Sequence, residues 1–119
     1  MRSLATVLVV VVALLHAYFL VLEMFLWDRP LGRRVFRTTP EFSAASKALA
    51  ANQGLYNGFL AAGLVYGVAT GSREIQALFL IFVIVAGAFG AFTVNRRIFW
   101  IQAAPAFLAL ALVFLDRDG

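Results

Sequence analysis

Four long apolar segments, separated by short polar ones, set the pattern of this chain. Each is close to the roughly 20 residues that a helix needs to cross the hydrocarbon core of a bilayer. Two of the three connections are tight, which favours antiparallel neighbours. The sequence therefore predicts an all-α fold, a four-transmembrane-helix antiparallel bundle. The predicted spans are about 4–27, 48–69, 75–94 and 98–115, and Pro105 interrupts the last of them.

The connection at 28–47 is the long one, and it is basic. Inside it, Thr39-Pro40-Glu41 has the features of a helix start. Threonine is a good N-cap, proline suits the first helical position, and an acid is favourable near the positive end of the helix dipole. We therefore expect a short interfacial helix directly before the second span.

Composition strengthens the membrane interpretation. The chain is 63% hydrophobic and 13% charged, with a mean hydropathy of +0.91, whereas soluble domains carry about a quarter charged residues. Its 119 residues are expected to form one membrane domain, 1–119, with the lipid bilayer as a partner. There is no cysteine, so thiolate chemistry and disulfides are excluded. No metal site is predicted.

The net charge of +4 is interpreted as loop charge, and no nucleic-acid partner is expected. Seven basic residues fall in the first and third connections: Arg29, Arg33, Arg34, Arg37, Lys47, Arg96 and Arg97. The other three are Arg2, Arg73 and Arg117. The positive-inside bias then places the first and third loops in the cytoplasm. The expected location is the bacterial inner (plasma) membrane, multi-pass, with both termini outside.

Small residues recur at four-residue spacing in the second and third spans, as in Gly54-x-x-x-Gly58 and Ala86-x-x-x-Gly90. Such spacing lets helix backbones approach closely in lipid. It is compatible with packing inside one bundle and with a homodimer through the glycine and alanine faces.

Polar side chains gather toward the cytoplasmic ends of the spans. In the first span, His16 and Glu23 are seven residues apart and fall on nearly the same helical face. Counting from the cytoplasmic ends brings several other side chains to similar depth. The candidate ligand-binding residues are Glu23, Asn52, Gln53, Tyr56, Asn57, Trp100 and Gln102.

Three functions fit this cluster. In the first, it binds or transports a small or amphipathic molecule, with protonation of Glu23 as the switch. In the second, the protein is a membrane-embedded lipid or isoprenoid isomerase or cyclase, and His16 and Glu23 are its catalytic acid–base pair. In the third, it is a structural or assembly subunit, and the polar side chains only fix the bundle.

Two observations would separate these functions. A void among the polar side chains would favour binding or catalysis, whereas direct hydrogen bonding among them would favour the structural role. No cofactor is evident from the sequence. Haem held by His16 is a further option, although no second axial ligand is visible.

The chain resembles the domain of unknown function 1304 (DUF1304) family of small bacterial membrane proteins. The resemblance rests on His16, Glu23-Met24-Phe25, Trp27, the run Asn52-Gln53-Gly54-Leu55-Tyr56-Asn57-Gly58, Gly87-Ala88-Phe89-Gly90, Gln102 and Pro105. It covers nearly the whole chain and implies four membrane helices. It implies no activity, so the functional hypotheses rest on the residues.

Overall fold

A computed structural model of the chain describes residues 2–115, apart from the side chain of Arg2. All regular structure in that range is helical, which confirms the predicted all-α class. The helices are α1 (Arg2–Met24), α2 (Pro30–Phe36), α3 (Pro40–Ala69), α4 (Arg73–Thr93) and α5 (Ala104–Leu115), with a π-helical segment (Phe99–Ala103) directly before α5. Arg117, one of the basic residues used to predict topology, lies outside the described residues.

Two helices of residues 2–115 are long and apolar enough to cross a membrane. They are Ser3–Met24, within α1, and Arg73–Thr93, which is α4. The helix at Phe99–Leu115 is apolar but shorter. A membrane location is therefore supported by two spans, while the four-span arrangement and the orientation stay predictions.

The connection at 28–47 is more helical than expected. Helix α2 was not predicted, because Pro30 was expected only to end the first span. Pro30 instead occupies the first turn of α2, where its missing N–H costs nothing. Arg37 ends the helix in the left-handed conformation, with φ of 57°.

Helix α3 begins where Thr39-Pro40-Glu41 predicted. The Phe42 N–H donates to Thr39 Oγ1 at 3.1 Å, which confirms the threonine cap. The predicted interfacial helix and second span are one continuous helix of 30 residues. The predicted tight turn follows, with Gly71 at φ of 66° and Ser72 Oγ accepting from the Ile75 N–H at 3.1 Å.

The π-helical segment lies where Pro105 was expected to interrupt the last span. The Ala104 N–H bonds to the Phe99 carbonyl, five residues back instead of four. Proline has no N–H and its ring crowds the preceding turn of a helix. A widened turn accommodates both effects without breaking the helix, as π-helical turns do elsewhere.

The chain divides into two compact units. The first, residues 1–14 and 60–119, is called the apolar unit after its buried core. Helix α4 packs there against the π-helical segment and the residue before it, with Gly87 beside Ala103 and Gly90 beside Ile98. The buried core of this unit consists of Ala5, Val9, Val12, Ala13, Leu64, Leu80, Val83, Ala106, Ala109 and Val113.

The second unit, residues 15–59, is called the polar unit. The end of α1 and the first part of α3 run antiparallel in it, since Gly54 lies beside Met24 and Gly58 lies beside Leu20. Past the end of α1, the Trp27 indole N–H donates to Ser46 Oγ at 3.0 Å. Side-chain hydrogen bonds therefore join α3 to the rest of this unit.

Candidate functional site

The centre of the polar unit is the carboxylate of Glu23, which is 2% exposed. Gln53 Nε2 donates to Glu23 Oε2 at 2.5 Å. Asn57 Nδ2 donates to Glu23 Oε1, also at 2.5 Å. Each oxygen of one carboxylate on α1 thus accepts a hydrogen bond from a different carboxamide on α3. We call these three residues the carboxylate cluster.

The spacing of α3 explains this geometry. Gln53 and Asn57 are four residues apart, so they lie one above the other on the same helical face. Gly54 and Gly58 flank them and bring α1 close. A Cβ added at Gly54 would lie 3.1 Å from Glu23 Cβ and 2.7 Å from Met24 Cγ. The glycines therefore set the short helix separation that the amide side chains need to reach Glu23.

The hydrogen-bond pattern of the carboxylate cluster is the one that an ionised Glu23 accepts. Two N–H donors face two acceptor oxygens, and an ionised carboxylate is acceptor only. Hydrogen bonds to an ionised acceptor are also stronger than neutral ones. Among the described residues, no buried side-chain nitrogen or oxygen lacks a hydrogen-bond partner.

His16 lies in the same unit and on the same helix, and it is fully buried. Its ring meets the ring of Phe19 edge-on, with centroids 5.3 Å apart and planes at 73°. Both ionisable residues of the first predicted span are therefore inside the protein.

The other predicted site residues have different surroundings. Asn52 and Tyr56 lie on an exposed side of α3, and the Tyr56 ring contacts Phe59 edge-on at 5.8 Å between centroids. Trp100 is 70% exposed and contacts Phe99 in the same way at 5.3 Å. Gln102 is partly buried in the π-helical segment, where its Cβ lies close to Gly87. Trp100 and Gln102 belong to the apolar unit.

A second polar feature was not singled out from the sequence. A cavity of about 280 Å³ lies beyond the end of α1 and is lined by Met24, Phe25, Trp27, Asp28, Arg29 and Lys47. We call it the α1-end cavity. Its basic residues had been assigned only to membrane topology. The clue available in the sequence was the interfacial Trp27 two residues before Arg29.

Residues 10–114 match a family described as a protein of unknown function (DUF1304). The chain belongs to this family. It is also 35% identical over 118 residues to an uncharacterized protein, YpaA, of Lactococcus lactis subsp. lactis (strain IL1403). That match covers 96% of this chain and 99% of the relative. No solved structure matches the chain.

These comparisons confirm the resemblance found in the sequence. The DUF1304 description and the name of the Lactococcus protein state no activity. The function of this DUF1304 protein has to be argued from the carboxylate cluster and its surroundings.

Proposed function

We propose that this DUF1304 protein is a small integral membrane protein that binds or transports a small or amphipathic molecule, with protonation of Glu23 as the switch. The observation that carries the proposal is the carboxylate cluster. A buried carboxylate is held by two amides inside a segment apolar enough to span a membrane. Ionisable groups at such positions are costly and are usually functional.

The hydrogen-bond pattern supplies the switch. In the ionised state, both carboxylate oxygens accept, and both amides donate. A protonated carboxyl carries an O–H, so one oxygen becomes a donor. One amide must then turn its carbonyl oxygen toward Glu23. Gln53 has the room to do so because it lies on the exposed side of the cluster, whereas Asn57 is buried.

Protonation would therefore reorient the Gln53 amide. The exposed edge of the cluster would then present the amide nitrogen where it had presented the carbonyl oxygen. A ligand that carries a positive charge or several hydrogen-bond donors would compete with the proton for Glu23. Binding and proton release are then linked, because the ligand favours the ionised form.

A structural role is the second candidate, and a specific observation favours it. The members of the carboxylate cluster bond directly to one another, as expected if they only join α1 to α3. The two functions make opposite predictions for ligand binding and similar predictions for stability. Binding is therefore the property to measure.

The test uses the full chain in lipid nanodiscs and tetraphenylphosphonium, an amphipathic cation that complements a carboxylate. Affinity is measured by equilibrium dialysis across neutral pH, for wild type and for Glu23→Gln. We expect wild-type affinity to rise with pH, because protons compete with the cation. Glu23→Gln should bind about tenfold more weakly, equivalent to about 1.4 kcal/mol, and with no pH dependence.

Glu74→Gln is the matched control, since Glu74 is an exposed acid in the first turn of α4. It should keep the wild-type affinity and pH profile. If Glu23→Gln also keeps both, the proposed switch is wrong. If wild type shows no pH-dependent binding and Glu23→Gln lowers only the unfolding temperature, the cluster is structural.

A further inference from the structure

The α1-end cavity combines polar and apolar walls at the end of a predicted span. Its apolar lining comes from Met24 and Phe25, and Phe25 is 66% exposed. Arg29 and Lys47 contribute two cationic side chains, and both residues are exposed. A volume of about 280 Å³ accommodates a polar headgroup-sized molecule.

The charge of the cavity is positive, although Asp28 also lines it. Arg33 Nη1 lies 3.0 Å from Asp28 Oδ1 and donates to the Asp28 carbonyl at 2.8 Å. Asp28 is the one acidic residue of the cavity lining, and its partner Arg33 is not part of that lining. The charges of Arg29 and Lys47 then remain in excess at the cavity.

One wall is held in place by contacts from two directions. The Trp27 indole N–H donates to Ser46 Oγ at 3.0 Å, and Ser46 Oγ donates in turn to the Phe42 carbonyl at 2.6 Å. The Trp27 ring also packs on Phe36, with centroids 4.9 Å apart. The cavity is therefore bounded by an ordered tryptophan. Tryptophan is enriched at the level of lipid headgroups.

We propose that the α1-end cavity binds the phosphate of an anionic headgroup, with Arg29 and Lys47 as its ligands. A guanidinium can bind phosphate oxygens in a bidentate manner, and an ammonium adds a point charge. Met24 and Phe25 contact the apolar part that follows the headgroup. This site uses no member of the carboxylate cluster, so it stands independently of the proposed function.

The experiment measures quenching of Trp27 by brominated lipid in a Trp100→Phe background, which leaves one tryptophan. Brominated phosphatidylglycerol is compared with brominated phosphatidylcholine in otherwise identical bilayers. Both lipids carry phosphate, but the first alone has a net negative charge. Because cations near a bilayer surface are attracted to anionic lipid, we expect about a tenfold preference for phosphatidylglycerol.

Arg29→Gln with Lys47→Gln should abolish the preference. The matched control is Arg34→Gln with Arg96→Gln, which removes the same charge from exposed positions outside the cavity. It should keep most of the preference. Arg29→Lys should retain part of it, and circular dichroism checks that every variant is helical.

Inorganic phosphate distinguishes the source of the anion. If it relieves quenching by phosphatidylglycerol, the site binds phosphate by itself; if it does not, binding needs the headgroup in its bilayer. An absence of both lipid preference and phosphate effect would overturn the proposal. A preference equal in the Arg29/Lys47 variant and its control would overturn it as well.

Discussion

The apolar and polar units differ in the side chains that they bury between their helices. The core of the apolar unit consists of alanine, valine and leucine side chains, with glycines where helices approach. In the polar unit, a buried carboxylate with two amides and a tryptophan–serine hydrogen bond join the elements. Both kinds of contact occur within a chain of 119 residues.

The difference shows what each kind of contact can specify. Lipid tails are as apolar as leucine, so apolar helices in a membrane associate through close packing and not through exclusion of water. Such packing tolerates small changes of rotation. The Glu23 carboxylate needs Gln53 and Asn57 at one rotation and one depth of α3, so the polar unit specifies its register more narrowly.

The largest expected effect on stability comes from truncating a side chain in the core of the apolar unit. Leu80→Ala removes a fully buried side chain and leaves a cavity, which should cost about 3 kcal/mol of unfolding free energy. Leu78→Ala, at a position 47% exposed on the same helix, should cost far less. The free energy is measured by titration with a denaturing detergent. Equal costs at the two positions would contradict the packing described for this unit.

Removing the carboxylate should have the next largest effect. Glu23→Leu leaves the buried Asn57 amide without its acceptor and should cost about 2 kcal/mol. Glu23→Leu combined with Asn57→Leu should cost about 1 kcal/mol less than the sum of the single changes, because the orphaned amide is gone. Detergent titration of the four proteins completes the double-mutant cycle. Strictly additive costs would show that the hydrogen bond contributes little.

The smallest expected effect on stability comes from replacing one glycine in each unit by alanine. A Cβ at Gly87 would lie 2.9 Å from the backbone nitrogen of Ala103, whereas a Cβ at Gly58 would meet the end of the Leu20 side chain. Backbone cannot yield as a flexible side chain can. After the gain in helix propensity, Gly87→Ala should cost about 1 kcal/mol and Gly58→Ala almost nothing. Thermal unfolding in one detergent gives the order, and the reverse order would contradict it.

Much of the fold follows from the sequence because apolar length and capping are local signals. The threonine cap of α3, the turn at Gly71 and the disturbance near Pro105 are where the pattern predicts them. Helix α2 was missed because a proline after an apolar run indicates a helix end and a helix start equally well. The interfacial helix expected directly before the second span does lead into it, as one continuous helix α3.

The candidate site was predicted only in part. Counting depth from the helix ends brought Glu23 to the level of Asn52 and Gln53. Depth does not tell which face of α3 each side chain lies on. The structure selects Gln53 and Asn57, which share a face, and leaves Asn52 exposed. The four-residue spacing of the two amides, next to two glycines, was the available signal. The α1-end cavity depends on how Arg29 and Lys47 meet in space, which spacing alone does not give.

The length of α3 has a mechanical consequence. A helix of 30 residues is about 45 Å long, half as long again as a hydrocarbon core of about 30 Å. Lys47 and Gln53 lie on this one rod, six positions or about 9 Å apart along its axis. A helix without a break fixes the spacing between Lys47 and the amides of Gln53 and Asn57, so the two polar sites of this unit share one continuous element.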